Sequence, residues 1–444
     1  MAFVLIQLAG CASYQAQPLP QTPTAQVALK HLTIDVSSLP RGPLRRHRFD
    51  PSDGLDEDEV AMLAVANNPD LRLARADLGV VHAQAYAADL LPDPQLNLTR
   101  DFAAPAVPGT VSAFSLAPSV DLAALIAHPA VQDAARSEAR RANLTLLWQE
   151  EQTITQARLL FTRAIFQSRQ VHLLDQTRAV LDARNQRAQA ALARGDLTQD
   201  VYAPLRAALE DTEKQRNDLE RQSNQMRHEL NALLGLAPAI NVPLIAGPAS
   251  APLNQPALDA ALRDLPRRRA DLLAFAAGYA SQEARLHQAV LAQFPILNLG
   301  LSRARDTAGL YTSGFAVGFT LPLFNRNRGN IAIEQATRER MRIEYQNRLD
   351  QARSEIDRLE QDLTLAQAQS ERLSTSLTGL EAVDAQASTA LHGGLIDVLA
   401  SSSVHLALLA KRAEWLSLQE TIAEQRIALA ALLGTDPELL QGQQ

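Results

Sequence analysis

Pro94-Gln95-Leu96-Asn97-Leu98-Thr99-Arg100 interrupts one long helical pattern, and Pro295-Ile296-Leu297-Asn298-Leu299 interrupts a second one 201 residues further on. In the first stretch Leu96 and Leu98 alternate with Gln95, Asn97 and Thr99, the period of two that gives a strand one apolar face. Strands are expected over 94–101 and 111–122, separated by a loop over 103–110 that contains Pro and Gly. The second copy predicts strands over 295–304 and 313–323. There Phe315, Val317, Phe319 and Leu321 alternate with Gly314, Ala316, Gly318 and Thr320, so one face is large and apolar and the other small or polar.

Other repeats keep that spacing or, toward the end of each half, one of 199 residues. Asp70-Leu71 recurs as Asp271-Leu272, and Phe114 as Phe315. Ala232-Leu233-Leu234-Gly235 recurs as Ala431-Leu432-Leu433-Gly434, with Pro238 matching Pro437. An ordered series of matches along two hundred residues reads as a duplication. Each half runs helix, two strands, long helix, turn, shorter helix. The halves are expected over 55–235 and 256–434, joined by a proline-rich linker over 236–255 and followed by a tail over 435–444. Residues 11–54 read as an extended lead-in rich in Pro, Thr, Gln and Ser. The basic run Arg41–Arg48 and the acidic run after Asp50 read there as a solvated arm.

The long helices are predicted over 130–194 and 331–392. At 1.5 Å per residue, ~63 residues make a rod of roughly 95 Å. The second carries a heptad seam: Leu349, Ala352, Ile356, Leu359, Leu363 and Ala366, continued by Ser370, Leu373, Leu377 and Leu380. So long an apolar seam needs partners of matching length. Helices near 56–91 and 198–234, stacked end to end, would cover the first rod, and those near 256–293 and 396–433 the second. The fold class expected is mainly α with a small β part, built from duplicated antiparallel helical hairpins.

Aromatic residues are only 4% of the chain, yet Phe102, Phe114, Phe294, Tyr311, Phe315, Phe319 and Phe324 gather around the strands. Strands of about 9–12 residues suit a tilted crossing of a bilayer, and a lipid-facing band is flanked by aromatic girdles. No apolar run in the body of the chain is long enough for a transmembrane helix, so a crossing would require a closed barrel. Four strands cannot enclose a lumen, whereas three copies could close twelve. The competing reading is a soluble sheet on a helical body.

The first ten residues are apolar and end in Leu8-Ala9-Gly10 before Cys11, the single cysteine. This resembles a bacterial lipobox, with 1–10 as a signal peptide remnant and Cys11 as the lipidation site, although a basic segment before the apolar run is missing. A buried free cysteine is the other reading. The net charge of −7 is spread along the chain and forms no basic stripe, which argues against nucleic acid. No H-E-x-x-H, G-x-S-x-G, Walker-type loop or paired-Cys motif is present, so neither catalysis nor a cofactor or metal site is expected.

Taken with Asn68-Pro69-Asp70-Leu71, Leu321-Pro322-Leu323-Phe324-Asn325, the turns Gly195–Val201 and Gly394–Val398, and the closing Leu-Leu-Gly of each half, the chain resembles the TolC-type outer-membrane efflux proteins over about 55–438. The resemblance implies a homotrimer, with a twelve-stranded β-barrel in the outer membrane on a twelve-helix periplasmic tunnel. It implies a lipid-anchored outer-membrane location and a tunnel tip that docks on a periplasmic adaptor. That adaptor couples to an inner-membrane pump of the resistance-nodulation-division type. The stretch from Leu321 to Asn330 looks closest to metal-cation efflux channels of the CzcC type, with multidrug export nearly as well matched.

The tip implied by this resemblance comprises Gly195, Leu197, Asp200, Val201, Gly394, Leu395, Asp397 and Val398. Asp200 and Asp397 read either as helix N-caps or as acidic rings repeated in threefold symmetry at an aperture. Arg326 and Arg328 read either as lining the barrel–tunnel junction or, the preferred reading, as lipid headgroup anchors, and Trp148 and Trp415 as packing residues. The main alternative function is a soluble or lipid-anchored periplasmic coiled-coil scaffold or adaptor without a pore.

Overall fold

The computed structural model describes residues 14–22, 34, 39, 43–102, 109–247, 254–295 and 297–435. Helix α1 (Glu57–Asn67) begins at a capping box, in which Asp56 accepts from the Glu59 backbone N–H and Glu59 accepts from that of Asp56. The expected helix over 56–91 is broken at Asn68, because Pro69 excludes helical backbone at the residue before it. Helix α2 (Pro69–Asp89) restarts there, with the Asn68 side chain accepting from Leu71 N–H.

Strands β1 (Gln95–Asp101) and β2 (Ala113–Asp121) follow, then α3 (Leu122–Arg194) and α4 (Gln199–Leu233). The second half contains α5 (Gln255–Arg263), α6 (Leu265–Arg268) and α7 (Ala270–Leu291) in place of one helix over 256–293. Strands β3 (Leu297–Arg305) and β4 (Tyr311–Phe319) and helices α8 (Arg328–His392) and α9 (Val398–Leu432) complete it. The 73-residue α3 starts at Leu122 rather than at residue 130 and carries Pro129 internally. Asp121 caps it by accepting from Ala123 and Ala124 N–H.

Helix α3 is flanked on one side by α1, α2 and α4 and on the other by α7 and α9, while α8 packs chiefly on α7 and α9. The molecule is therefore four staves side by side: α3 and α8 are single helices, and the other two are shorter helices stacked end to end, α1 and α2 with α4, and α5 to α7 with α9. In α8 the seam is buried at Ala352, Ile356, Leu359, Leu363, Ala366 and Leu377, as the heptad spacing predicts.

The stacking junctions repeat. Gly235 (φ +63°) presses on the Asn67 carbonyl, and Gly434 (φ +59°) presses on the Arg268–Arg269 peptide. At the first junction Asn68 Nδ2 also donates to Leu233 O at 3.1 Å. Each glycine ends its helix with paired returns, Leu236 N to Asn231 O and Thr435 N to Ala430 O, which satisfy carbonyls that the helix leaves open. An apolar cluster surrounds each junction. The first includes Leu39 and Leu44 of the lead-in, so that segment is no purely solvated arm: these two side chains anchor it in the core, and Arg45 Nε donates to Leu39 O.

The sheet is an antiparallel meander in the order β1-β2-β3-β4. The strands adjoin α2, α3, α7 and α8 in turn, so the sheet repeats the stave order. Pro118 lacks an N–H, and the β2–β3 ladder is interrupted between Leu116 and Ser119.

Candidate functional site: open edges, outward face and hairpin tips

In an isolated sheet of this order β1 and β4 each leave one edge unpaired. The stave layer has matching open sides. Leu73, Val80 and Tyr86 of α2 are exposed at one end, and Ile333, Ile343 and Leu365 of α8 at the other. Both layers thus end in surfaces that an identical subunit could cover.

Register divides the sheet into two faces. Leu96 lies opposite Pro118, Leu98 opposite Leu116, Leu299 opposite Val317 and Leu301 opposite Phe315, all on one face. Leu96, Leu301 and Phe315 are 67%, 64% and 82% exposed. The other face carries Asn97, Thr99, Ser115, Asn298, Gly314 and Gly318, all small or polar. An apolar band this bare suits lipid, not water. Among the described residues no helix is long and apolar enough to cross a membrane.

At the opposite end, α3 turns into α4 through Gly195 (φ +81°) and α8 into α9 through Gly394 (φ +69°). Both turns close alike, with Asp196 N bonding to Ala191 O and Leu395 N to Ala390 O. Arg184 of α3 donates to Ser403 of α9 at 3.4 Å, which sets the two hairpins side by side near their ends.

The tip residues differ in role. Asp397 is the N-cap of α9, accepting from Ala400 N–H at 2.7 Å, as one reading expected. Asp200 is not an N-cap: Thr198 holds that position. The two glycine turns align Thr198 with Asp397, each three residues after its glycine. Asp200 lies inside the first turn of α4, where bonds from the Thr198 hydroxyl and from its own and the Val201 N–H hold its carboxyl below the usual range. Leu395 is 82% exposed and Val201 is exposed, whereas Leu197 and Val398 are half-buried. Cys11 lies outside the described residues.

Two features were not foreseen. A polar seam joins the halves, with Arg163 paired to Glu424 and Gln170 donating to Glu420 at 2.9 Å. Nearer the sheet, Glu150 pairs with Arg75 at 2.8 Å, and Arg269 pairs with Asp271 while stacking over Trp148. Burial, reinforced by the Asp271 charge and opposed by Arg269, pushes Glu151 up to about 7. Their signal lies in register between helices distant in sequence, which periodicity along one helix does not reveal. Among the described residues no cluster of three or more His, Cys, Asp or Glu side chains could hold a metal ion.

Four staves and four strands in the same order, open at both edges, define the fold of the TolC-type outer-membrane channels. The chain superposes on the CmeC outer membrane channel of Campylobacter jejuni with a TM-score of 0.71 at 15% identity, over 98% of this chain and 96% of that one. It matches the open state of the Neisseria gonorrhoeae MtrE outer membrane channel with a TM-score of 0.69 at 16% identity, over 97% and 100%. CusC, whose structures concern folding and transmembrane channel formation, gives 0.68 at 18% identity, over 94% and 100%. No family model and no curated protein matches the sequence. At such identities the likeness is one of fold.

Proposed function

We propose that the chain is the outer-membrane channel subunit of a tripartite efflux system. In this reading it is a passive homotrimeric duct from periplasm to exterior. The observation that carries it is the coincidence of open edges in both layers: three copies would pair β4 of one with β1 of the next and close a twelve-stranded barrel over twelve staves. The apolar face then meets lipid and the face with Asn97, Ser115 and Gly318 lines the lumen.

A duct of this kind has no chemistry of its own, so transport is driven by an inner-membrane pump of the resistance-nodulation-division class through a periplasmic adaptor. The adaptor docks at the tip formed by Gly195, Leu197, Asp200, Val201, Gly394, Leu395, Asp397 and Val398, and exposed Leu395 supports that placement. Asp397, and less directly Asp200, would ring the aperture. A lipid on Cys11 would supplement the barrel as an anchor. The substrates are metal cations or small toxic organic compounds, with the Leu321–Asn330 stretch favouring cations.

A deletion strain tests this. It should become sensitive to cobalt, zinc, cadmium or copper, and be rescued by the wild-type chain but not by Leu395→Glu. Sensitivity to drugs alone would defeat the cation reading, and unchanged susceptibility to both would defeat the efflux reading.

A further inference from the structure

The apolar face of the sheet ends in arginines. On the rung nearest the β1–β2 and β3–β4 loops, Arg100 lies opposite Phe114, Phe114 opposite Arg305, and Arg305 opposite Tyr311. One rung closer to the helices, Arg303 stands between Leu116 and Ser313. All three share the face of Leu96, Leu301 and Phe315. Asp101 and Asp121 fall on the other face by the same alternation.

The guanidinium groups of Arg100 and Arg305 are held together without a counter-ion. Arg100 Nη2 donates to Ser112 Oγ at 3.4 Å, and Arg305 Nη2 donates to Ser112 O at 2.8 Å and to Ser112 Oγ at 3.5 Å. Two cations therefore converge on one neutral residue. Arg305 lies 5.7 Å from the Phe114 ring and 5.9 Å from the Tyr311 ring, and Arg100 lies 5.0 Å from the Phe102 ring. Arg305 Nε is shut off from water with no acceptor among the described residues. No carboxylate among the described residues pairs with any of the three. Residues 103–108, Ala-Ala-Pro-Ala-Val-Pro, contain no acid either.

Neighbouring like charges repel, and an unpaired donor shielded from water is costly. An anion relieves both, and the guanidinium fork fits phosphate in particular. Between Leu297 and Arg303 the strand rises roughly 20 Å at ~3.3 Å per residue, so the arginines begin where an apolar band gives out. We propose that Arg100, Arg303 and Arg305 bind the phosphate groups of a lipid headgroup in the leaflet at the loop end of the sheet. This rests on the channel reading, which turns the face toward lipid and the loops outward.

The test uses the full-length trimer in detergent, offered bisphosphorylated lipid A or its phosphate-free counterpart, with retained lipid counted by native mass spectrometry. The wild-type trimer should favour the phosphorylated lipid by roughly tenfold, as expected of charge-assisted pairing. The chain carrying Arg100→Gln, Arg303→Gln and Arg305→Gln should lose that preference, and the corresponding triple Lys chain should keep part of it. Equal retention of both lipids by the wild type, or an undiminished preference in the Gln chain, overturns the site. If the Gln chain does not assemble, the wild type decides: its preference must fall as salt rises from about 50 to about 500 mM, and a salt-independent preference overturns the proposal. A conducting trimer without lipid preference sinks this site alone. A chain that neither trimerises nor conducts sinks the channel reading and this site with it.

Discussion

Gly235 and Gly434 do the same job at two places, but with unequal room. A Cβ at Gly235 would sit 2.5 Å from Asn67 O, whereas one at Gly434 would meet Arg268 C at 3.2 Å, and at Gly195 or Gly394 it would meet nothing within 4 Å. All four have left-handed backbone, so alanine at any of them costs about 1 kcal/mol from conformation alone. Gly235→Ala should cost more than about 2 kcal/mol because the carbonyl in its path is backbone and cannot swing away. Gly434→Ala should fall between it and the two tip variants. Thermal melts of the four variants check this, and equal losses at Gly235 and Gly195 would contradict the junction geometry. Glu151 gives a second test at this scale. Its carboxyl titrates near 4.5 when unfolded and about 7 when folded, so the fold holds a proton that the unfolded chain releases between those values. Stability therefore falls as pH rises through that window. Glu151→Gln should raise stability at about pH 8 by an amount of order 1–3 kcal/mol, read as a higher melting temperature, and leave it little changed at about pH 4. A lower melting temperature at the higher pH would show that the charge is compensated.

At the scale of elements, the hairpin tips separate two roles for one side chain. Asn caps a helix nearly as well as Asp but carries no charge. Asp397→Asn should therefore keep the stability of α9 while lowering cation-over-anion permeability in planar bilayers. Asp397→Ala should lose both, with about 1 kcal/mol of stability gone. Unchanged selectivity in both variants would leave Asp397 as a cap only. Much at this scale was legible beforehand. The heptad seam of α8 was readable residue by residue, because alternating steps of three and four belong to one helix and need no knowledge of the partner. The proline breaks were less legible, since Pro69 starts a new helix while Pro129 and Pro204 lie inside helices. Which outcome holds depends on what packs beside the proline. At the tips, Asp200 and Asp397 read alike as N-cap candidates, but backbone closure at Gly195 and Gly394 sets the register and puts Thr198, not Asp200, at the place of Asp397. Leu39 and Leu44 were hidden in the lead-in because two isolated apolar residues show no period.

At the scale of the molecule, the single chain leaves edges and apolar surfaces uncovered. Its sheet leaves two edges unpaired, its outward face bares Leu96, Leu301 and Phe315, and its outer staves expose Tyr86 and Ile343. Repetition in the sequence made the two halves visible, and strand alternation made the two faces visible. The proposed closure would lie between copies, where no single chain carries a periodic signal. Measuring subunit number and single-channel conductance on the same detergent-purified sample tests the central claim most directly. The account predicts a heat-modifiable trimer that forms discrete, long-lived conducting pores in planar bilayers. A monomer that stays in solution without detergent and leaves the bilayer insulating would contradict it.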